Sequence, residues 1–190
     1  MKTLLLMRHA KSSWNDSKLA DHERPLNKRG RQDAPMMGEL LVDRELVPQL
    51  ILSSSALRSR QTAELLAETS GFSGDVTYSN KLYMAEVDEY INALRALPDD
   101  NERVMVIGHN PGMETLLQIL SGQIQSLPTA VIAHLVLPIE HWSELSAETS
   151  GELVEIWLPK ELRHDAVVAE KKGKDKDKGK AKAKGKKKDK

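Results

Sequence analysis

Three short apolar runs, each followed at once by polar or charged residues, are the feature of this sequence that most restricts its fold. They occupy residues 4–7, 49–52 and 104–107. Runs of this kind are typical of strands that are buried on both faces, as in a parallel sheet. The segments between them have helical periodicity, so strands and helices alternate along the chain. This alternation predicts an α/β protein.

The predicted elements follow one another in the order β-α-β-α-β-α-β-α-β-β. Helices are expected over 28–43, where Asn27 supplies the N-terminal cap, over 57–69, which ends at Gly71, and over 87–97 and 113–120. Pro35 is expected to separate or kink the first turns of the first helix, and Pro111 fits the first turn of the last one. The remaining strands are expected at 76–78, 130–137 and 152–158. The pattern predicts a three-layer α/β sandwich whose central sheet is mainly parallel and antiparallel at one edge.

The C-terminal part of the chain differs sharply in composition from the rest. Residues 171–190 contain 12 Lys and 3 Asp and no apolar residue other than Ala. The formal net charge of zero therefore combines an acidic body with a basic tail. We expect one folded domain over 1–165 and a disordered Lys-rich tail over 166–190. The tail either serves as a solvated segment or binds an acidic partner, either a nucleic acid or an acidic protein.

Several classes of protein are excluded or disfavoured by what the sequence lacks. It contains no Cys, which excludes disulfides, thiolate catalysis and Cys-based zinc sites. The first apolar run is too short for a signal peptide, and no later segment has the roughly 20 apolar residues needed to span a bilayer. We therefore expect a cytoplasmic monomer.

Polar clusters follow the three apolar runs. Arg8 and His9 follow the first run. The second run is followed by a group of serines and then Arg58, and the third run is followed by His109. The carboxyl ends of strands in an open α/β sheet form a ligand crevice, and helix N-termini there favour anions. Taken singly, each Arg is more often a surface residue and each His a structural one. Together, two Arg and two His predict a site for a dianion such as phosphate.

A metal site built from His9 and His109 is disfavoured, because neither residue has a carboxylate or a second His nearby at ligand spacing. We therefore expect neither a metal nor a cofactor.

Four motifs, in order, resemble those of the histidine phosphatase superfamily, which includes phosphoglycerate mutases and SixA-type phosphohistidine phosphatases. They are MRHAKSSW at 7–14, RPLNKRG at 24–30, SSALRSRQTA at 54–63 and IGHNP at 107–111. The second resembles the SixA-like branch in particular. The resemblance covers roughly residues 1–160 and implies a phosphoglycerate mutase-like fold. It departs from the common pattern at Ala10, where the superfamily usually has Gly.

The resemblance implies a role for each residue of these clusters. His9 would be the nucleophile, and its second ring nitrogen would need an acceptor such as a backbone carbonyl. Arg8 and Arg58 would bind the phosphate oxygens, and His109, if protonated, would add a donor and a charge. Asn15 falls where the mutases place a phosphate-contacting Asn, although the loop that follows differs from theirs.

Two further residues near the predicted crevice have open interpretations. Glu86 is the candidate general acid, but it equally suits the first turn of a helix, where acidic side chains favour the dipole. Trp14 is expected either to line an apolar wall at the mouth of the crevice or to pack in the core.

These features favour a phosphoric monoester or phosphoramidate hydrolase that forms a phosphohistidine intermediate. The chain has no room for the long insertions that close over small substrates, so a phosphohistidine on a protein is the expected substrate. A phosphatase of small phosphoesters or nucleotides is the alternative within the superfamily. A non-catalytic module that binds phosphorylated ligands is the alternative from another class.

Overall fold

A computed structural model describes residues 1–164 of the chain. Its α-helices include Lys28–Asp43 (α1), Leu57–Ser70 (α2), Val87–Arg95 (α3) and Gly112–Ser121 (α4). The six strands are Lys2–Arg8 (β1), Leu50–Ser54 (β2), Asp75–Ser79 (β3), Arg103–Gly108 (β4), Ile132–Leu137 (β5) and Glu152–Trp157 (β6). The predicted order of elements is confirmed in full over these residues.

The strands form one sheet in the order β3-β2-β4-β1-β5-β6. The first four of these run parallel to one another, whereas β5 is antiparallel to both β1 and β6. The mainly parallel sheet with an antiparallel edge is therefore confirmed. Because β2, β4 and β1 are neighbours, the residues that follow these three strands emerge side by side at one edge of the sheet.

The path of the chain between strands places the helices on both faces of the sheet. From β1 the chain passes to β2 and β3 in one direction, and from β3 it returns to β4 in the other. Right-handed crossovers then put α1 and α2 on one face and α3 on the opposite face. The helices accordingly pack as two pairs, α1 with α2 and α3 with α4. Side chains 4–7 of β1 and 104–107 of β4 are fully buried between these layers.

The ends of the helices confirm the predicted signals. Asn27 caps α1 by accepting the Gly30 N–H at 2.9 Å, and α2 ends at Gly71, whose φ is 63°. Two details differ from the expectation. The α1 helix continues through Pro35, with Gly38 packed closely against Thr69 of α2. Pro111 lies just before α4 rather than within it, since the helix begins at Gly112.

The chain divides into two units, Met1–Trp157 and Leu158–Lys190. Of the second unit, residues up to His164 are described, and they begin a helix in which Leu162 N–H donates to Leu158 C=O at 3.4 Å. The predicted tail at 166–190 lies outside the described residues, so the expected division at residue 165 stays a prediction. Within 1–164, no helix is both long enough and apolar enough to cross a membrane.

Candidate active site

The polar clusters predicted from the strand ends meet in one cavity at the carboxyl edge of the sheet. This catalytic cavity has a volume of about 350 Å³ and is lined by Arg8, His9, Arg58 and His109. His9 directly follows β1, His109 directly follows β4, and Arg58 lies in the first turn of α2. The rings of His9 and His109 are 5.0 Å apart. The four residues central to the prediction are therefore brought together.

The His9 ring is held in one orientation. Its Nδ1 lies 2.8 Å from the carbonyl oxygen of Ala10, so Nδ1 carries the proton and donates to it. Its Nε2 accepts the Nε–H of Arg58 at 3.2 Å and therefore keeps its lone pair. The expected backbone acceptor is thus Ala10. Burial, together with the nearby charges of Arg58 and Arg8, lowers the pKa of His9 to about 4, so the ring is neutral near pH 7.

Thr62 and Ser54 of the SSALRSRQTA motif hold the segments around His9 and His109. Thr62 Oγ1 donates to the Arg58 carbonyl at 2.6 Å and accepts the Ala10 N–H at 3.0 Å. Ser54 Oγ lies 2.8 Å from Nε2 of His109. The hydroxyl groups of this motif therefore link the segments that follow β1, β2 and β4.

His109 is neutral in the free protein. Burial is the main cause, and the neighbouring His9 and Arg58 add to it, lowering the pKa of His109 to about 3. Its Nδ1 lies 3.4 Å from Nη2 of Arg58 and accepts from it. The ring proton therefore lies on Nε2, which donates to Ser54 Oγ. The protonated His109 considered from the sequence thus requires a bound anion to raise its pKa.

Arg8 has donors that remain free for a ligand. Its Nη1 donates to the Leu127 carbonyl at 2.9 Å, while its buried Nε has no hydrogen-bond partner among residues 1–164. A buried N–H group without a partner is costly. Because Arg8 also lines the cavity, its guanidinium is a donor group that an oxyanion ligand would engage.

The carboxylate of Asp21 belongs to this site, although sequence reasoning missed it. Asp21 Oδ2 accepts from Arg58 Nη2 at 2.9 Å and from the Tyr83 hydroxyl at 2.8 Å, and its Oδ1 accepts from Arg24 Nη1 at 2.9 Å. Burial acts to raise the pKa of Asp21, but the hydrogen bond from Tyr83 and the charge of Arg58 outweigh it and lower that pKa. Asp21 lies in an irregular loop without periodicity, where its place before the RPLNKRG motif was the only available signal.

The RPLNKRG motif shapes the loop that follows His9. Arg24 donates through Nε to the Ser13 carbonyl and through Nη2 to Ser12 Oγ. Gly30 packs against the backbone of Lys11, whose oxygen would lie 2.2 Å from an added Cβ atom. The motif therefore holds the backbone of residues 11–13 beside the cavity.

Two further candidates from the sequence, Glu86 and Asn15, do not belong to the residues that line the catalytic cavity. Glu86 is exposed at the N-terminal cap of α3 and does not line the catalytic cavity. Asn15 is exposed in the loop after β1 and does not line it either. Their predicted roles stay predictions without support from this geometry. Trp14, in contrast, lines the cavity and is 74% exposed, so it does not pack in the core.

Metal chemistry receives no support from side-chain clustering. Within the part of the chain that the structure describes, no group of three or more His, Cys, Asp or Glu residues is arranged to hold a metal ion. The cavity instead collects guanidinium and imidazole groups, which suit an oxyanion.

Comparison with known proteins shows the family to which this chain belongs. Residues 4–88 match the model of the histidine phosphatase superfamily (branch 1). An uncharacterized chloroplastic protein of Arabidopsis thaliana is 36% identical over 156 residues, covering 77% of this chain and 71% of its own. An uncharacterized protein of Mycobacterium leprae is 30% identical over 167 residues, covering 81% of this chain and all of its own.

Among solved structures, a protein of Agrobacterium tumefaciens assigned as the phosphohistidine phosphatase SixA has a TM-score of 0.72 and 29% identity. The match covers 83% of this chain and 98% of that one. The predicted fold and enzyme class are thereby confirmed, and the chain belongs to the histidine phosphatase superfamily.

Proposed function

We propose that this protein hydrolyses phosphohistidine on a protein, with His9 as the nucleophile and Arg8, Arg58 and His109 as phosphate ligands. Nε2 of His9 would attack phosphorus and form a new N–P bond as the P–N bond to the substrate imidazole breaks. Water would then attack phosphorus and release phosphate, and His9 would regain its lone pair. A cytoplasmic location is part of the proposal.

The choice of phosphohistidine as substrate rests on the ionisation state of the carboxylate in the cavity. Among residues 1–164, Asp21 is the one carboxylate that lines the catalytic cavity, and Arg58, Arg24 and Tyr83 hold it ionised. An ionised carboxylate is a poor proton donor for an alkoxide leaving group. A phosphohistidine ring that is already protonated leaves as neutral imidazole, so this site suits a phosphoramidate better than a phosphate ester.

The phosphate ligands suit the charge that develops during transfer. Arg8 and Arg58 both line the cavity together with His9, so two guanidinium groups border the space where a phosphoryl group would lie. Preorganised donors of this kind stabilise the negative charge spread over the equatorial oxygens. A bound phosphoryl dianion would also raise the pKa of His109 and allow it to donate through both ring nitrogens.

The test compares hydrolysis of a phosphohistidine-bearing protein and of an aryl phosphate by wild type and His9→Ala. We expect the wild type to prefer the phosphohistidine protein and to form an acid-labile phosphoenzyme, and His9→Ala to lose both properties. His141→Ala is the matched control, because His141 is exposed and pairs with Asp99 away from the cavity.

Three outcomes would contradict the proposal. Preference for the aryl phosphate would favour the small-phosphoester alternative. Binding of the phosphoprotein without turnover would favour a non-catalytic module. Turnover that survives His9→Ala would rule out His9 as the nucleophile.

A further inference from the structure

The three tryptophans of this protein lie in very different surroundings. Trp142 and Trp157 are buried, with exposed fractions of 0% and 6%, whereas Trp14 is 74% exposed. A large aromatic side chain normally gains stability from burial. The exposure of Trp14 therefore points to a use other than packing.

One face of the Trp14 ring is covered by a fixed partner. The guanidinium carbon of Arg24 lies 3.1 Å from the ring centroid. Arg24 is itself buried, and hydrogen bonds to Ser12, Ser13 and Asp21 use its Nη2, Nε and Nη1 groups. The Trp14 indole thus rests on an immobilised cation, and its opposite face remains open to solvent.

The open side of Trp14 adjoins the catalytic cavity. Trp14 lines the same cavity as His9 and Arg58, together with a neighbouring cavity of about 270 Å³ that also contains Leu19. Met84, 53% exposed, lies on the rim as well. A group bonded to a phosphoryl group in the cavity would therefore lie within reach of a rigid aromatic surface.

We propose that Trp14 is a specificity-determining residue whose open face stacks on the imidazole ring of the phosphohistidine substrate. This inference rests on the proposed function and adds the feature that recognises the leaving group. Stacking needs a planar ring directly bonded to phosphorus, which phosphohistidine has and phosphoserine lacks. The Arg24 side chain acts as a positioning residue by holding the indole plane.

The equilibrium test does not depend on turnover. Phenylphosphonate and methylphosphonate are both dianions at a sufficiently alkaline pH and differ in the presence of a ring. We expect phenylphosphonate to bind wild type about tenfold more tightly than methylphosphonate does. This difference in affinity should disappear in Trp14→Leu and should be mostly kept in Trp14→Phe. Binding should also protect Trp14 fluorescence from acrylamide, a signal absent from Trp14→Leu.

The kinetic test uses the ratio of kcat/KM for a phosphohistidine peptide to that for phosphoramidate, which has no ring. This ratio should fall about tenfold in Trp14→Leu and remain at the wild-type value in Ile124→Ala, a control at another exposed apolar side chain. Equal losses on both substrates, or equal affinity of wild type for the two phosphonates, would overturn the stacking role.

The two proposals fail in different ways. Absence of turnover on every substrate, with Trp14-dependent binding of phenylphosphonate retained, would contradict the phosphatase proposal alone. A different result would overturn the inference: Trp14-dependent binding of a nucleoside monophosphate, together with no preference for the phosphohistidine peptide over phosphoramidate. It would mean that Trp14 stacks on a nucleobase and not on imidazole.

Discussion

Asp21 and Arg58 form an ion pair, 2.9 Å between Oδ2 and Nη2, in the cavity where the phosphoryl group is expected. Arg58 Nη1 also donates to the backbone oxygen of Asp21 at 2.6 Å, and its Nε donates to the lone pair of His9. In the free protein, hydrogen bonds to Asp21, His9 and His109 therefore use four of the five N–H groups of Arg58. A phosphoryl ligand must take over these hydrogen bonds from Asp21.

Replacing Asp21 with Asn should consequently strengthen phosphate binding. The variant keeps the size of the side chain but removes the charge that competes for Arg58. Because the Asp21 side chain is about half exposed, we expect a modest decrease in the Kd of inorganic phosphate, roughly three- to tenfold. Titration calorimetry measures it, with Asp16→Asn in the same loop as control. Weaker binding in Asp21→Asn would show that Asp21 supports the phosphate site instead.

The buried histidines should make stability depend on pH in a defined window. Their pKa values are about 4 for His9 and about 3 for His109 in the folded protein, against about 6.5 in an unfolded chain. Between about pH 4 and 6.5 the unfolded state therefore binds more protons, and the free energy of unfolding rises with pH. Urea titrations at several pH values should show this slope, and it should be smaller in His109→Asn. An unchanged slope in that variant would contradict the neutral, buried state of His109.

A ring of hydrogen bonds should let Glu114 act on Arg8 at a distance. Glu114 Oε1 accepts from Asn110 Nδ2 at 2.7 Å and from Leu127 N–H at 2.8 Å, and the Leu127 carbonyl holds Arg8. We expect Glu114→Ala to weaken phosphate binding about three- to tenfold and Glu114→Gln, which keeps the acceptor oxygen, to restore most of it.

The double variant decides whether this effect passes through Arg8. If it does, Glu114→Ala should change phosphate affinity little once Arg8 is replaced by Ala. Additive losses in a double-mutant cycle, measured by the same calorimetry, would instead assign Glu114 an independent role.

A methyl group at Gly30 should disturb the loop that follows His9. The added Cβ would lie 2.2 Å from the Lys11 oxygen, a backbone atom that cannot easily move because it also accepts the Asn27 N–H at 2.9 Å. Overpacking of this kind costs about 1–3 kcal/mol. Thermal unfolding of Gly30→Ala should show a lower Tm than wild type, while Lys28→Ala, an exposed substitution in the same turn, should not. An unchanged Tm would mean that the loop yields freely.

The positions of His9, His109 and Arg58 could be predicted from the sequence, because the ends of strands determine them. His9 and His109 follow strands whose apolar runs are unmistakable, and Arg58 opens a helix after a third strand, so topology alone brings them together. Asp21 and the stacking of Arg24 on Trp14 were missed because they arise in an irregular loop. Glu86 shows the converse: its position suited a general acid, but local geometry exposes it at a helix terminus.

The order of the strands has a consequence for how this site can change over time. The groups that would bind phosphate are rooted in β1, β4 and the start of α2, at the centre of the sheet, where opening requires unfolding of the domain. The surfaces beside the leaving group come from the loop after β1 and the segment before α3, which tolerate substitution more readily. Backbone amides of His9 and His109 should exchange with solvent far more slowly than those around Trp14 and Met84. A change of substrate would then require substitutions only at the border of the cavity, while the residues rooted in the central strands stay the same.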